Sequence, residues 1–162
     1  MNRPARCRES GRSRFEADRT ERERLAERFF DAFRDGHVDA LAELLAADVR
    51  MIGDSGGRAP RFERVVVGAG HVARTLAAFA PLVVRGGGVV EPRRLNGRPG
   101  AIFRDRDGLV LSTWVLDVLD GRIRTIHTVN NPDKLSHIGP VADAWAALRE
   151  ANQAPRQGNS NR

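Results

Sequence analysis

Apolar positions change their spacing along this chain, and the changes divide it into elements. Leu25, Phe29 and Phe33 recur every four residues with Ala26 and Phe30 alongside, the spacing of an amphipathic helix. Thr20 followed by Glu23 predicts a capping box at its start, and Asp35-Gly36 a left-handed stop at its end. Val38, Leu41, Leu44 and Leu45 predict a second, shorter helix. Asp48 to Ile52 has the character of a short strand. The run Asp54-Ser55-Gly56-Gly57-Arg58-Ala59-Pro60 is the densest turn signal in the chain. Val65-Val66-Val67 predicts another strand. Gly68-Ala69-Gly70 then leads into a third helix with Val72, Leu76 and Phe79 on its buried stripe, stopped by Pro81.

Beyond Pro81 the period moves towards two. Leu82–Val90, Ala101–Phe103, Leu109–Leu119 and Arg122–Val129 are the expected strands, separated by Asn96-Gly97-Arg98-Pro99, Asp107-Gly108 and Asp120-Gly121. Asp-Gly between β-rich runs is a strong hairpin signal, because both central turn residues need positive φ. Gly86-Gly87-Gly88 lies between valines and is expected as a bend or bulge in a long strand. Asn130-Asn131-Pro132-Asp133 closes the last strand. Gly139-Pro140 is expected to open a C-terminal helix with Val141, Trp145 and Leu148 on one face. Helices followed by a meander of strands predict an α+β fold, a curved antiparallel sheet wrapped on N-terminal helices. The expected organisation is a basic disordered or linker segment over 1–19, one domain over 20–138, a helix over 139–152 and a disordered tail over 153–162.

Composition adds limits. The chain has 162 residues and a single cysteine, Cys7, so neither an internal disulfide framework nor a thiolate zinc cluster is expected. No run approaches the roughly 20 apolar residues of a spanning helix, and the N-terminus lacks the apolar stretch of a secretory signal. A cytoplasmic protein without membrane contact is expected. The net charge of +6 sits mostly in the tails, and residues 25–148 hold 16 basic against 15 acidic side chains. Specific nucleic-acid binding, which wants a basic folded face, is not expected. Of the 27 basic residues all but Lys134 are Arg. That bias suits a GC-rich genome better than a phosphate-binding surface.

A sheet curled against helices leaves a concave face, and Asp54, Arg104, Trp114, Asp117 and His127 are the residues expected to line it. Asp117 is expected opposite Arg124 across the Asp120-Gly121 turn, at a distance from His127. Asp54, Asp117 or His127 could serve as the base of a proton-transfer enzyme. Such a base needs a dry pocket and a facing oxyanion donor, as in the ketosteroid isomerase pattern. This chain has no tyrosine to act as that donor. His37, His71, His127 and His137 are scattered in no ligand pattern, so neither metal nor cofactor is expected.

The order of elements resembles the nuclear transport factor 2-like cone in its SnoaL-like branch. It is closer still to the SnoaL-like C-terminal extension of extracytoplasmic-function sigma factors of the SigJ type. Three stretches carry the resemblance: Arg14-Phe15-Glu16 with the helix Glu21–Phe33, the loop Asp54-Ser55-Gly56-Gly57-Arg58, and Asn131-Pro132-Asp133-Lys134-Leu135. The last matches the group's Asn-Pro-Asp-Lys-Leu motif without change. The loop departs from the usual Asp-Gly-Gly-Gly-Lys at Ser55 and Arg58. The resemblance implies a non-enzymatic domain that folds back on the sigma core or RNA polymerase and tunes transcription initiation, with the loop and the terminal motif making the contact. The thirteen residues before Arg14 cannot form a promoter-binding domain, so the extension is expected without its sigma core. The alternative is a SnoaL-like small-molecule binder, or an isomerase or cyclase, with its pocket in the cone. An exposed curved sheet face would also suit a homodimer.

Overall fold

The structure, a computed structural model, describes residues 3–54 and 65–142, with side chains from Glu16 onward. The elements follow in the order α1 (Arg3–Asp35), α2 (Val38–Leu44), β1 (Leu45–Asp54), β2 (Val66–Val67), α3 (Ala69–Arg85), β3 (Val89–Leu95), β4 (Arg98–Arg104), β5 (Val110–Leu119), β6 (Arg122–Val129) and α4 (Pro132–Leu135). The described strands form one six-stranded sheet in the order β2-β1-β6-β5-β4-β3. The meander β3 to β6 is antiparallel as expected. The sheet as a whole is mixed, because β1 runs parallel to β6. A parallel neighbour needs a long crossover, and here α3 and the meander supply it. No described helix is long and apolar enough to cross a membrane.

Several local expectations give way. Helix α1 is already helical at Arg3, so the segment 3–19 continues it. Thr20 therefore lies inside the helix, where its hydroxyl donates to the Glu16 carbonyl at 2.8 Å instead of capping. Charged neighbours four apart, such as Arg19 and Glu23 at 3.5 Å, favour that continuation. Pro81 does not stop α3, which runs on to Arg85. Leu76, Ala80 and Val83 keep a helical spacing on the buried side across the proline, and their burial offsets the lost N–H. Leu82–Arg85 thus belongs to helix, not strand. Gly86-Gly87-Gly88 is the exit of α3, with its amides donating to Leu82, Val84 and Val83 carbonyls. The C-terminal helix does not start at Gly139: Val141 forms a parallel bridge with Val110. Positions 143–152 and the tail lie outside the described residues.

Two of the three expected turns behave as the sequence requires; at Asp107-Gly108 only the glycine has positive φ, and a longer connection forms in which the Asp105 side chain accepts from the Asp107 and Leu109 amides. Asn96 and Gly97 have φ of 53° and 76°, Asp120 and Gly121 of 53° and 74°, the pair of positive values that matches strand twist. Alternation along the strands then sends every second side chain to the helices. Phe29, Phe30 and Phe33 of α1 meet Phe103 and Trp114 on that inner face, all buried. The ring centroids of Phe33 and Trp114 are 5.0 Å apart, and those of Phe103 and Trp114 4.4 Å. Sheet and helices are locked there by rings in offset and edge-on contact.

The outer face, away from these helices, carries charge. Arg104 Nε donates to Glu91 Oε2 at 2.9 Å across β3 and β4. That hydrogen bond holds the Glu91 carboxyl below the usual carboxylate range; desolvation opposes it, and the Arg93 and Arg104 charges assist. Arg104 therefore lies outside the cone.

Three outcomes test the packing. Phe33→Ala should cost about 3–5 kcal/mol in urea unfolding, against about 0.5 kcal/mol or less for the exposed Leu119→Ala. Gly100→Ala should cost about 1–3 kcal/mol, because a Cβ there would stand 2.2 Å from the Trp114 carbonyl oxygen. A carboxylate with a lowered folded pKa stabilises above its unfolded pKa and loses that effect as pH falls through the folded value. The stability difference between wild type and Glu91→Gln should accordingly shrink between neutral pH and about pH 3, measured by denaturant midpoints at each pH.

Candidate functional site

Strand pairing decides which face each candidate occupies. In β5, Ser112, Trp114 and Leu116 point to the helices, whereas Thr113, Val115 and Asp117 point away. His127 pairs with Val115, Asp117 with Thr125, and Asp54 with Val129. Asp54, Asp117 and His127 therefore share the outer face with Arg104, and the concave side does not hold them. Trp114 alone of the expected lining residues faces inward, and it is part of the ring cluster. Among the described residues the buried polar side chains are Ser112, Thr113 and Thr128. Ser112 Oγ donates to the Val129 carbonyl at 3.1 Å.

Asp117 does not meet Arg124. The β5–β6 register shifts between Asp117 and Val118, so Val118 pairs with Ile123 and Asp117 with Thr125. Arg124 falls in the bulge. Thr125 and His127 are on the same side of β6, which brings His127 Nε2 to 3.4 Å from Asp117 Oδ2. The sequence reading also missed Arg98. Gly100 pairs with Val115, and two residues along each strand the same register sets Arg98 opposite Asp117. Its guanidinium lies 2.8 Å from Asp117 Oδ1. Counting outward from Asp107-Gly108 sets Arg98 opposite Asp117 in the same way, so its signal lies in that turn and does not depend on the bulge. His127 and Asp117 side chains are 42% and 38% exposed. A carboxylate held by Arg98 and open to water is poorly placed as a general base, which gains its strength in a dry site.

The terminal motif is built from local rules. Asn131 caps α4, its side chain accepting from the Asp133 amide at 3.1 Å, and Pro132 opens the helix. Leu135 is buried in a second small core with Ile102 and Val110, against which Leu95, Val129, Ile138 and Val141 pack. This anchors α4 on the outer face. Asp133 and Lys134 remain exposed. Lys134 Nζ donates to Asp54 Oδ2, across 80 residues of sequence. The Asn130 amide also donates to the Asp54 carbonyl at 2.7 Å. Parallel β1 and β6 end side by side, so the start of the glycine-rich loop and the Asn-Pro-Asp-Lys-Leu turn form one corner. Ser55, Gly56, Gly57 and Arg58 lie outside the described residues.

A recess of about 120 Å³ lies elsewhere, between α1 and the β3–β4 turn, lined by Asp18, Arg19, Arg22, Glu23 and Arg94 among others. Among the described residues no group of three or more His, Cys, Asp or Glu is placed to hold a metal ion.

No family model matches this chain, and no curated protein matches it. Solved structures do. The extracytoplasmic-function sigma factor SigJ of Mycobacterium tuberculosis superposes with a TM-score of 0.58 at 25% identity, over 82% of this chain and 50% of that one. The chain thus spans about half the length of that sigma factor. An NTF2-like protein of unknown function from Mesorhizobium loti gives a TM-score of 0.51 at 18% identity, covering 68% of this chain and 90% of its own. A conjectured ketosteroid isomerase from Kribbella flavida gives 0.50 at 22%, covering 68% and 77%. The fold is the nuclear transport factor 2-like cone, an α+β arrangement of an unclosed curved sheet on helices, shared with the SigJ structure and with the isomerase-type protein alike.

Proposed function

We propose that this chain is a SnoaL-like regulatory module of the extracytoplasmic-function sigma-factor type, modulating transcription initiation by contact with a sigma core or RNA polymerase. One observation carries the reading: Asp54, which opens the glycine-rich loop, and Lys134, from the terminal motif, are joined in an ion pair. Two segments far apart in sequence thereby present one charged corner, with Asp54, Asn131, Pro132, Asp133 and Lys134 at its surface and Leu135 as its root. An exposed ion pair adds little stability by itself. Its use is better understood as holding two contact segments in register for a partner. Charges at the rim of an interface set specificity and association rate.

A second reading, a small-molecule-binding or isomerase- or cyclase-type protein, has one feature in its favour, the His127–Asp117 contact at 3.4 Å. Against it stand the open position of that pair and the ring-filled inner face.

Pull-down and titration against a SigJ-type sigma core and RNA polymerase would test the first reading. Wild type should bind, and Lys134→Ala and Asp133→Ala should each weaken binding by about tenfold, equivalent to roughly 1.4 kcal/mol. Binding unchanged by both substitutions would contradict the proposed corner. Proton exchange or isomerisation of a polyketide-like or steroid ketone, abolished in Asp117→Asn, would favour the second reading instead.

A further inference from the structure

Lys134 is the single lysine among 27 basic residues. An ion pair with Asp54 does not account for that choice, since arginine grips a carboxylate at least as well through its planar fork. What a lysine offers and an arginine lacks is an amine that can lose its proton and accept an acyl group. The position suits that chemistry. The Lys134 side chain is 63% exposed, on a short helix fixed by the Asn131 cap and the buried Leu135. The charge it carries closes the corner between α4 and the end of β1.

We propose that Lys134 is an acylation site, and that its modification by an acyl phosphate opens the Asp54–Lys134 tie. The regulatory consequence, a reset contact surface, rests on the reading given under Proposed function. The deprotonated Nζ attacks the carbonyl carbon of the acyl phosphate. The new N–C amide bond forms, the C–O bond to phosphorus-bound oxygen breaks, phosphate leaves with the electron pair, and the amine proton passes to water. The product is a neutral amide. It replaces the Lys134 charge facing Asp54 with a neutral donor, a weaker partner for a carboxylate.

The test treats the full chain with acetyl phosphate, locates the label by peptide mass spectrometry, and follows amide hydrogen exchange at Asn130, whose N–H donates to the Asp54 carbonyl. The expected result is acetyl-lysine at position 134, with exchange at Asn130 accelerated several-fold as the corner opens locally. Lys134→Gln should show the same acceleration without reagent. Lys134→Arg should show no label at 134 and no response of Asn130 exchange to the reagent. Label confined to the terminal amine or to hydroxyls, or acetylated Lys134 with unchanged exchange, would overturn the proposal. Neither readout needs a partner. A partner that binds wild type, loses affinity for Lys134→Ala and binds acetylated protein unchanged would overturn the switch while leaving the regulatory reading in place.

Discussion

The contact of Phe33 with Phe103 and Trp114 is the constraint on which the rest of the structure depends. These rings occupy the middle of the inner face, where a curved sheet on helices would otherwise leave a hollow. Once that volume is filled by apolar rings, an ionisable group could enter it only at a large desolvation cost. Charge is therefore displaced to the other side of the same strands. Arg98, Asp117 and His127 gather at one end of the outer face, Glu91 and Arg104 near its β3 edge, and Asp54 with Lys134 at the corner. The strand period of two thus sends the charged side chains to the outer face, where they flank the small core around Leu135.

Topology then decides which outer residues can act together. Because β1 lies parallel to β6, the two strands finish at the same end of the sheet. Whatever leaves β1 and whatever leaves β6 must emerge side by side. The chain uses this to set Asp54, at the end of β1, beside a capped turn, with backbone and side-chain bonds across the junction. An antiparallel pairing of the same strands would have sent the two segments to opposite ends. The second core around Leu135 is what keeps the turn pressed on the sheet instead of projecting into solvent.

Much of this was legible in the sequence. The helix Leu25–Phe33 and its stop at Gly36, the Asn96-Gly97 and Asp120-Gly121 turns, and the order of the meander all follow from local rules that tertiary contacts did not override. Three of the expectations that give way do so for reasons that bear on the site. Pro81 ends a helix that stands alone, but the buried stripe through Ala80 and Val83 outweighs it here. Counting from the Asp120-Gly121 turn pairs Asp117 with Arg124, but a bulge at Arg124 shifts the count by one and brings Asp117 beside His127; its meeting with Arg98 follows separately from the β4–β5 register. Polar residues on the strands of a curved sheet are expected to line its concave face, yet Asp54, Arg104, Asp117 and His127 lie on the outer one. Burial by the aromatic rings could not be read from any single strand, since it is a property of α1, β4 and β5 together. The Asn-Pro-Asp-Lys-Leu segment was recognisable as a motif, yet its structural logic, cap, start, tie and anchor, appears only with the outer face beneath it.

Under the proposed function the fold works from its outer corner and not from its interior. Amide chemical-shift mapping of the isotope-labelled chain, titrated with a SigJ-type sigma core, tests it directly. Perturbations concentrated at Asp54 and Asn130–Leu135, with Phe33, Phe103 and Trp114 silent, are the predicted result. Perturbations centred on those inner rings, elicited by a small ketone while the sigma core leaves the corner unchanged, would contradict it.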